Sequence, residues 1–275
     1  NSPVKNFKKW RKQARATVLD AMLAPPPYTT KYETEILAEE QREGYRAKKL
    51  CFNLTGYSRV NAYVLIPDGE GPFPAVVLLH DHGGHYTIGK EKMIRPFGVD
   101  KAVLDDADAW AANCYGGQYA GDYLAAHGYV VISVDALYWG ERGRKEGADG
   151  SKYADNAGNF MMLGRSLSAF MNYEDMYTTD YLATLPEVDP KRIACMGFSM
   201  GGYRAWMLSA LSDKIQVGAA ICWMTTTDCQ FSWEYGRERG GFANMLPGIR
   251  RYLDYPHIAS IACPKPMLFL NGEHD

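Results

Sequence analysis

The sequence predicts an α/β fold, a doubly wound and mostly parallel sheet with helices on both faces. Two patterns carry the prediction. From Pro74 onward, short apolar runs recur: Ala75–Leu79, Tyr129–Val134, Arg192–Met196, Val217–Cys222 and Met267–Leu270. Runs this short, apolar on both faces, suit parallel strands covered by helices on each side. Helix-like stretches near 116–127, 161–185 and 200–212 separate them, and such alternation builds right-handed crossovers. A third observation sets the scale, since 275 residues suit one large domain with a sizeable core.

Ahead of that core, residues 4–23 carry apolar side chains at helical spacing, and Pro25–Pro27 must end the helix. Extended segments follow around 33–42, 46–54 and 58–66, bounded by Gly44, Gly56 and Pro67. Their partial alternation predicts antiparallel strands at a sheet edge. Two connections, from His82 to about Cys114 and from Thr225 to about Pro264, are too long for turns. Both leave the carboxyl ends of strands, where open α/β sheets place their ligands. Trp223, Phe231, Trp233, Tyr235 and Phe242 make the second aromatic; they pack it onto the body or line a pocket. The division expected is a single domain over 1–275, with an N-terminal helical extension at 1–27 and a cap-like insertion at 225–264.

A composition of 47% hydrophobic and 23% charged residues is that of an ordered globular chain. The net charge of −2 gives no footprint for nucleic acid or for an anionic membrane surface. The basic stretch Lys5–Arg15 reads as a solvated helix face. No apolar run approaches the ~18 residues that span a bilayer. Six cysteines, at 51, 114, 195, 222, 229 and 263, show no zinc-like spacing. Cys195 and Cys222 are expected in buried strands as small hydrophobes. Reduced thiols point to the cytoplasm; a periplasmic or secreted protein that has lost a leader is the alternative.

The chemistry concentrates at Gly197-Phe198-Ser199-Met200-Gly201-Gly202, which ends a predicted strand and opens a predicted helix. That context is what a nucleophile elbow needs. The turn is sharp, and glycines two residues either side of the serine avoid clashes with strand and helix. Ser199 is the nucleophile in this reading. His80-Asp81-His82-Gly83-Gly84-His85 ends the first central strand. It is the loop expected to supply one oxyanion-hole amide, from His82 or else Gly83, with Met200 N–H as the other. A rival reading takes His80, His82 and His85 as zinc ligands, but Gly84 stands where such a motif has Asp, and the elbow would go unexplained. Neither a metal nor any other cofactor is therefore expected. Glu141 and Arg142 follow a central strand on the same side, as a structural ion pair or as substrate contacts.

The order of Leu78–Gly84, Asp135–Gly143, Val188–Ile193, Gly197–Gly202 and Leu270–Asp275 resembles the α/β-hydrolase superfamily. Within it the chain looks like the dienelactone hydrolase and acetyl xylan esterase-like branch, over roughly residues 30–275. Dienelactone hydrolases carry Cys at the elbow, so Ser199 favours an esterase. The resemblance implies the α/β-hydrolase fold and makes Asp275, in Gly272-Glu273-His274-Asp275, the acid of the triad. Glu273 and Asp228 are weaker candidates for that role. It also implies the order Ser, acid, His, and none of the six histidines occupies the expected place. The reading therefore expects the natural protein to continue by ~40–80 residues to a catalytic His.

The function expected is a serine hydrolase that cleaves carboxylic esters through an acyl-enzyme, with acetyl esters of carbohydrates as one substrate class. The partner implied is a small-molecule or carbohydrate ester. Alternatives are a peptidase or lactonase on the same scaffold, or an inactive hydrolase-like binding protein.

Overall fold

A computed structural model describes residues 4–143, 150–232 and 241–273. Helix α1 (Phe7–Met22) leads into strands β1 (Glu35–Arg42), β2 (Tyr45–Thr55), β3 (Ser58–Pro67) and β4 (Phe73–Leu79). Helices α2 (Lys101–Cys114) and α3 (Ala120–Ala126) precede β5 (Val130–Val134). Next come α4 (Gly150–Met162), α5 (Leu167–Leu182), β6 (Val188–Phe198), α6 (Met200–Leu211) and β7 (Ile215–Ile221). A short α7 (Thr227–Gln230), α8 (Tyr255–Ser260) and β8 (Met267–Leu270) complete the described chain.

The eight strands form one sheet in the order β1-β2-β3-β5-β4-β6-β7-β8. As the sequence predicts, β1, β2 and β3 are an antiparallel meander at one edge. Strands β5, β4, β6, β7 and β8 run parallel. Alternating side chains on β4 serve opposite faces. Ala75, Val77 and Leu79 join α5 and α6 in one core, while Val76 and Leu78 pack with Ala125 of α3 in another. This two-sided burial explains why the parallel strands read as continuous apolar runs. Asn6 caps α1, its side chain accepting from Lys9 N–H. Ala14, Val18 and Met22 then dock that helix onto α6 and α8.

Two expectations need correction. The connection after His82 is not a plain loop, because α2 occupies Lys101–Cys114. Its buried stripe consists of Ala107 and Ala111, residues too small to give a clear periodic signal. Cys195 is buried in β6, but Cys222 lies one residue beyond β7 with φ 55° and is only half-buried. Its N–H donates to Leu270 O at 2.6 Å, so the strand pairing ends in a turn there. The described second half of 225–264 packs against the main body. Leu246, Ile249, Leu253, Tyr255 and Ile258 share a core with α1 and α6. Trp223 packs on Tyr203 and Tyr255, and Phe242 on Tyr153, whereas Phe231 is exposed. Trp233 and Tyr235 lie outside the described residues.

Candidate active site

Ser199 stands between β6 and α6 with φ 54° and ψ −120°. For a residue with a Cβ this backbone costs on the order of 1–3 kcal/mol and persists only where the surroundings over-determine it. They do so here. Ser199 N–H donates to Ile221 O on β7 at 2.8 Å, and Ser199 O accepts from Tyr203 N–H at 3.1 Å. A Cβ at Gly197 would stand 2.1 Å from Gly201 O, and one at Gly201 would stand 1.8 Å from Leu79 O. Both glycines are therefore steric necessities, and the second contact seats the end of β4 directly on the start of α6. Met200, buried among Tyr86, Trp139 and Tyr153, opens the helix, so its N–H is among the first-turn donors without an intrahelical acceptor.

The same contact brings the loop after β4 alongside the elbow. His80 is buried, with Nε2 accepting from Ala136 N–H at 2.9 Å and Nδ1 2.8 Å from Asp81 O. Burial, reinforced by Arg204 and Lys92, holds the His80 imidazole well below its usual pKa, so it is neutral and Nδ1–H donates. His82 Nδ1 accepts from Gly84 N–H at 3.0 Å. Burial and then Lys92 bring the His82 pKa down to about 4. Gly83 has φ 58°, and a Cβ there would meet the Trp110 ring at 2.4 Å. Beneath the loop, the Lys92 ammonium is 3.2 Å from each of Asp81 O, Asp81 Oδ1 and His82 O. Asp81 Oδ2 accepts from Tyr115 OH at 2.6 Å and Trp110 Nε1–H at 3.2 Å.

The histidines of the zinc reading have separate partners. His85 Nε2 meets Asp106 Oδ1 at 2.7 Å, with the ring stacked on Trp110. His80, His82 and His85 do not converge on a common point. Among the described residues the set with ligand atoms within 4.8 Å of one another is Glu91, Asp135 and Glu141. A cation of the chain itself occupies that set. Lys90 Nζ donates to Glu91 at 2.7 Å, Asp135 at 2.9 Å and Glu141 at 2.6 Å. Burial works against the Glu141 carboxylate, yet Lys90 and Lys49 hold its pKa at about 2. Burial dominates at Asp135 and raises it to about 6 despite Lys90.

Glu141 and Arg142 are thus both structural, though not paired with each other. Glu141 serves the two lysines, and Arg142 makes a two-pronged bond to Glu174 at 2.7 Å on each arm. Of the acid candidates, Asp275 lies outside the described residues, as does His274. Glu273 is exposed beyond β8, and exposed Asp228 pairs with Arg250 at 3.1 Å. His127 closes α3, stacked on Tyr123 with Nδ1 2.7 Å from Tyr123 O. His257 Nδ1 accepts Asp254 N–H in the capping box of α8. Each of the five described histidines therefore has a local partner. The sequence reading did not single out Lys90 or Lys92, because nothing local marks a Lys-Glu-Lys triplet as buried. Beside the elbow, an apolar cavity of about 240 Å³ is lined by Met93, Tyr115, Met196, Phe198 and Ile221. A larger hollow of about 360 Å³ lies at the opposite end of β4, around Arg46, Pro67 and Phe73, away from Ser199.

Residues 2–275 match the model of the Abhydrolase family. The chain belongs to the Abhydrolase family. This family member is 29% identical over 262 residues to the "Putative hydrolase YtaP" of Bacillus subtilis (strain 168), covering 95% of this chain and 80% of that one. Among solved structures it is similar to one from Bacteroides fragilis NCTC 9343 described as a "putative acetyl xylan esterase". That pair has a TM-score of 0.74 and 22% identity over 96% of this chain and 67% of the other. A glucuronoyl esterase from Solibacter usitatus superposes with a TM-score of 0.63 at 15% identity, covering 99% and 77% of the respective chains. At these identities the two structures establish the α/β-hydrolase fold of the family member. No helix among its described residues is long and apolar enough to cross a membrane.

Proposed function

We propose that this Abhydrolase family protein is a serine esterase with Ser199 as its nucleophile. The observation that supports this most strongly is the strained φ of 54° at Ser199, held between two glycines that tolerate no side chain. Such strain is retained where it aims a reacting group. In the reaction, Ser199 Oγ attacks the ester carbonyl while a histidine outside the described residues takes its proton. Asp275 orients that histidine and stabilises the imidazolium. The amides of Met200 and His82 receive the negative oxygen of the tetrahedral intermediate, which collapses to an acyl-enzyme and releases the alcohol. Water then attacks the acyl carbon by the same route. The names carried by the similar structures favour an ester on a carbohydrate, acetyl esters first.

The test is covalent labelling of the full natural chain with a fluorophosphonate, followed by peptide mapping. A label on Ser199, together with turnover of p-nitrophenyl acetate over aminoacyl p-nitroanilides, is expected. A label elsewhere, or amide turnover exceeding ester turnover, would overturn the proposal.

A further inference from the structure

We propose that Lys92 is a positioning residue for the oxyanion hole, fixing the two peptide planes, Asp81–His82 and His82–Gly83, that carry the loop's candidate oxyanion N–H donors. This rests on the serine-esterase reading. The Lys92 side chain is fully buried, and its three N–H bonds have three acceptors: Asp81 O, His82 O and Asp81 Oδ1, each at 3.2 Å. In a trans peptide the carbonyl and the following N–H point in opposite directions. A cation that draws the Asp81 and His82 carbonyls toward itself therefore turns the His82 and Gly83 N–H groups away from itself. These are the two amides that the sequence offers as the loop's oxyanion donor.

Other donors lock the same planes. His80 Nδ1–H donates to Asp81 O at 2.8 Å, while Trp139 Nε1–H and His85 N–H reach His82 O at 3.3 and 3.2 Å. Among the described residues Lys92 alone donates to both carbonyls, and of these donors it alone brings a full charge. The ammonium is walled in by the Trp110 ring, 4.9 Å from its centroid, and by the Asp81 carboxylate. A buried cation behind two amides polarises them, making their N–H groups stronger donors to charge that develops only in the transition state. A preorganised field of this kind acts on kcat and leaves ground-state binding nearly untouched.

Lys92→Met in the full natural chain keeps the stem and removes the charge. Loss of a direct oxyanion donor costs about 100- to 1,000-fold in kcat; removing the group behind the donors is expected to cost about 10- to 100-fold. KM for p-nitrophenyl acetate should stay within about twofold, as expected for an interaction made only in the transition state. A trifluoromethyl ketone, whose hemiketal oxygen sits in the hole, should lose affinity in parallel with kcat. An unchanged kcat, or an equal loss in kcat, 1/KM and melting temperature, would overturn the proposal. Should Lys92→Met not fold, Trp139→Phe decides. It removes one donor to His82 O and should lower kcat by a smaller factor at constant KM, whereas an unchanged kcat would refute the mechanism. If the wild-type protein takes no fluorophosphonate on Ser199, the underlying reading fails first and this inference falls with it. Labelling at Ser199 with a fully active Lys92→Met isolates the failure to Lys92.

Discussion

Ser199 and its two flanking glycines can be tested one atom at a time. Ser199→Ala should leave the fold intact and cut ester kcat by about 10⁶, the loss typical of removing a triad nucleophile; steady-state kinetics on the full chain checks it. Gly201→Ala places a methyl 1.8 Å from the Leu79 carbonyl, a backbone atom that cannot step aside. We expect a loss of about 4 kcal/mol or more of stability, measured by chemical denaturation, because such values come from strain of this kind. The elbow was legible in the sequence because all its determinants lie within six consecutive residues. Lys92 was not legible, since its partners Asp81, His82 and Trp110 are brought to it only by the fold. The buried imidazoles also set a pH window. His82 falls to about 4 when folded, from an ordinary value near 6.5, so folding favours its neutral form. That contribution is complete above about pH 6.5 and is lost as pH falls toward 4. His80 adds to it in the same direction, while Asp135, raised to about 6, opposes it. The melting temperature should decline from pH 6.5 to 4, and His82→Asn should flatten the decline.

At the scale of elements, buried charge pairs tie α5 to α6 and to the segment after β5. Arg204 of α6 grips Asp175 of α5 with two bonds, at 2.9 and 2.6 Å, and both residues are buried. Arg142, just after β5, holds Glu174 on the same helix. Removing one partner strands a buried charge, so Arg204→Met should cost about 3–5 kcal/mol, whereas pairing it with Asp175→Leu should restore much of the loss. Urea denaturation of the single and double variants gives the comparison. None of these pairings was readable beforehand, because α5 shows little amphipathic contrast: fourteen of its sixteen residues are buried, Glu174 and Asp175 included. The parallel strands were readable because each is a compact apolar run. Helix α2 was missed because its buried contacts are two alanines, and alanine marks no face.

For the whole molecule, the division of the sheet followed from texture alone: an alternating, antiparallel N-terminal edge, then continuous apolar parallel strands. The acid and base of the proposed triad were less accessible, since Asp275 was assigned by resemblance and each of the five described histidines is engaged by a local partner. The metal alternative carries its own test. Ester turnover should survive EDTA and 1,10-phenanthroline, and stoichiometric zinc whose removal abolished activity would overturn that expectation. The pairing of β4 has a further consequence, for how the chain is made. Ala75 meets Val130 on one side and Ile193 on the other, whereas β1, β2 and β3 close on near neighbours. At ordinary translation rates of about 5–20 residues per second, the central strand leaves the ribosome roughly 6–24 s before its β6 partner. During that interval the meander can already be formed while Val76–Leu79 has an open edge. The strand that leads into the His80–His85 loop thus waits with an unpaired apolar edge, a natural point for a chaperone to hold the nascent chain.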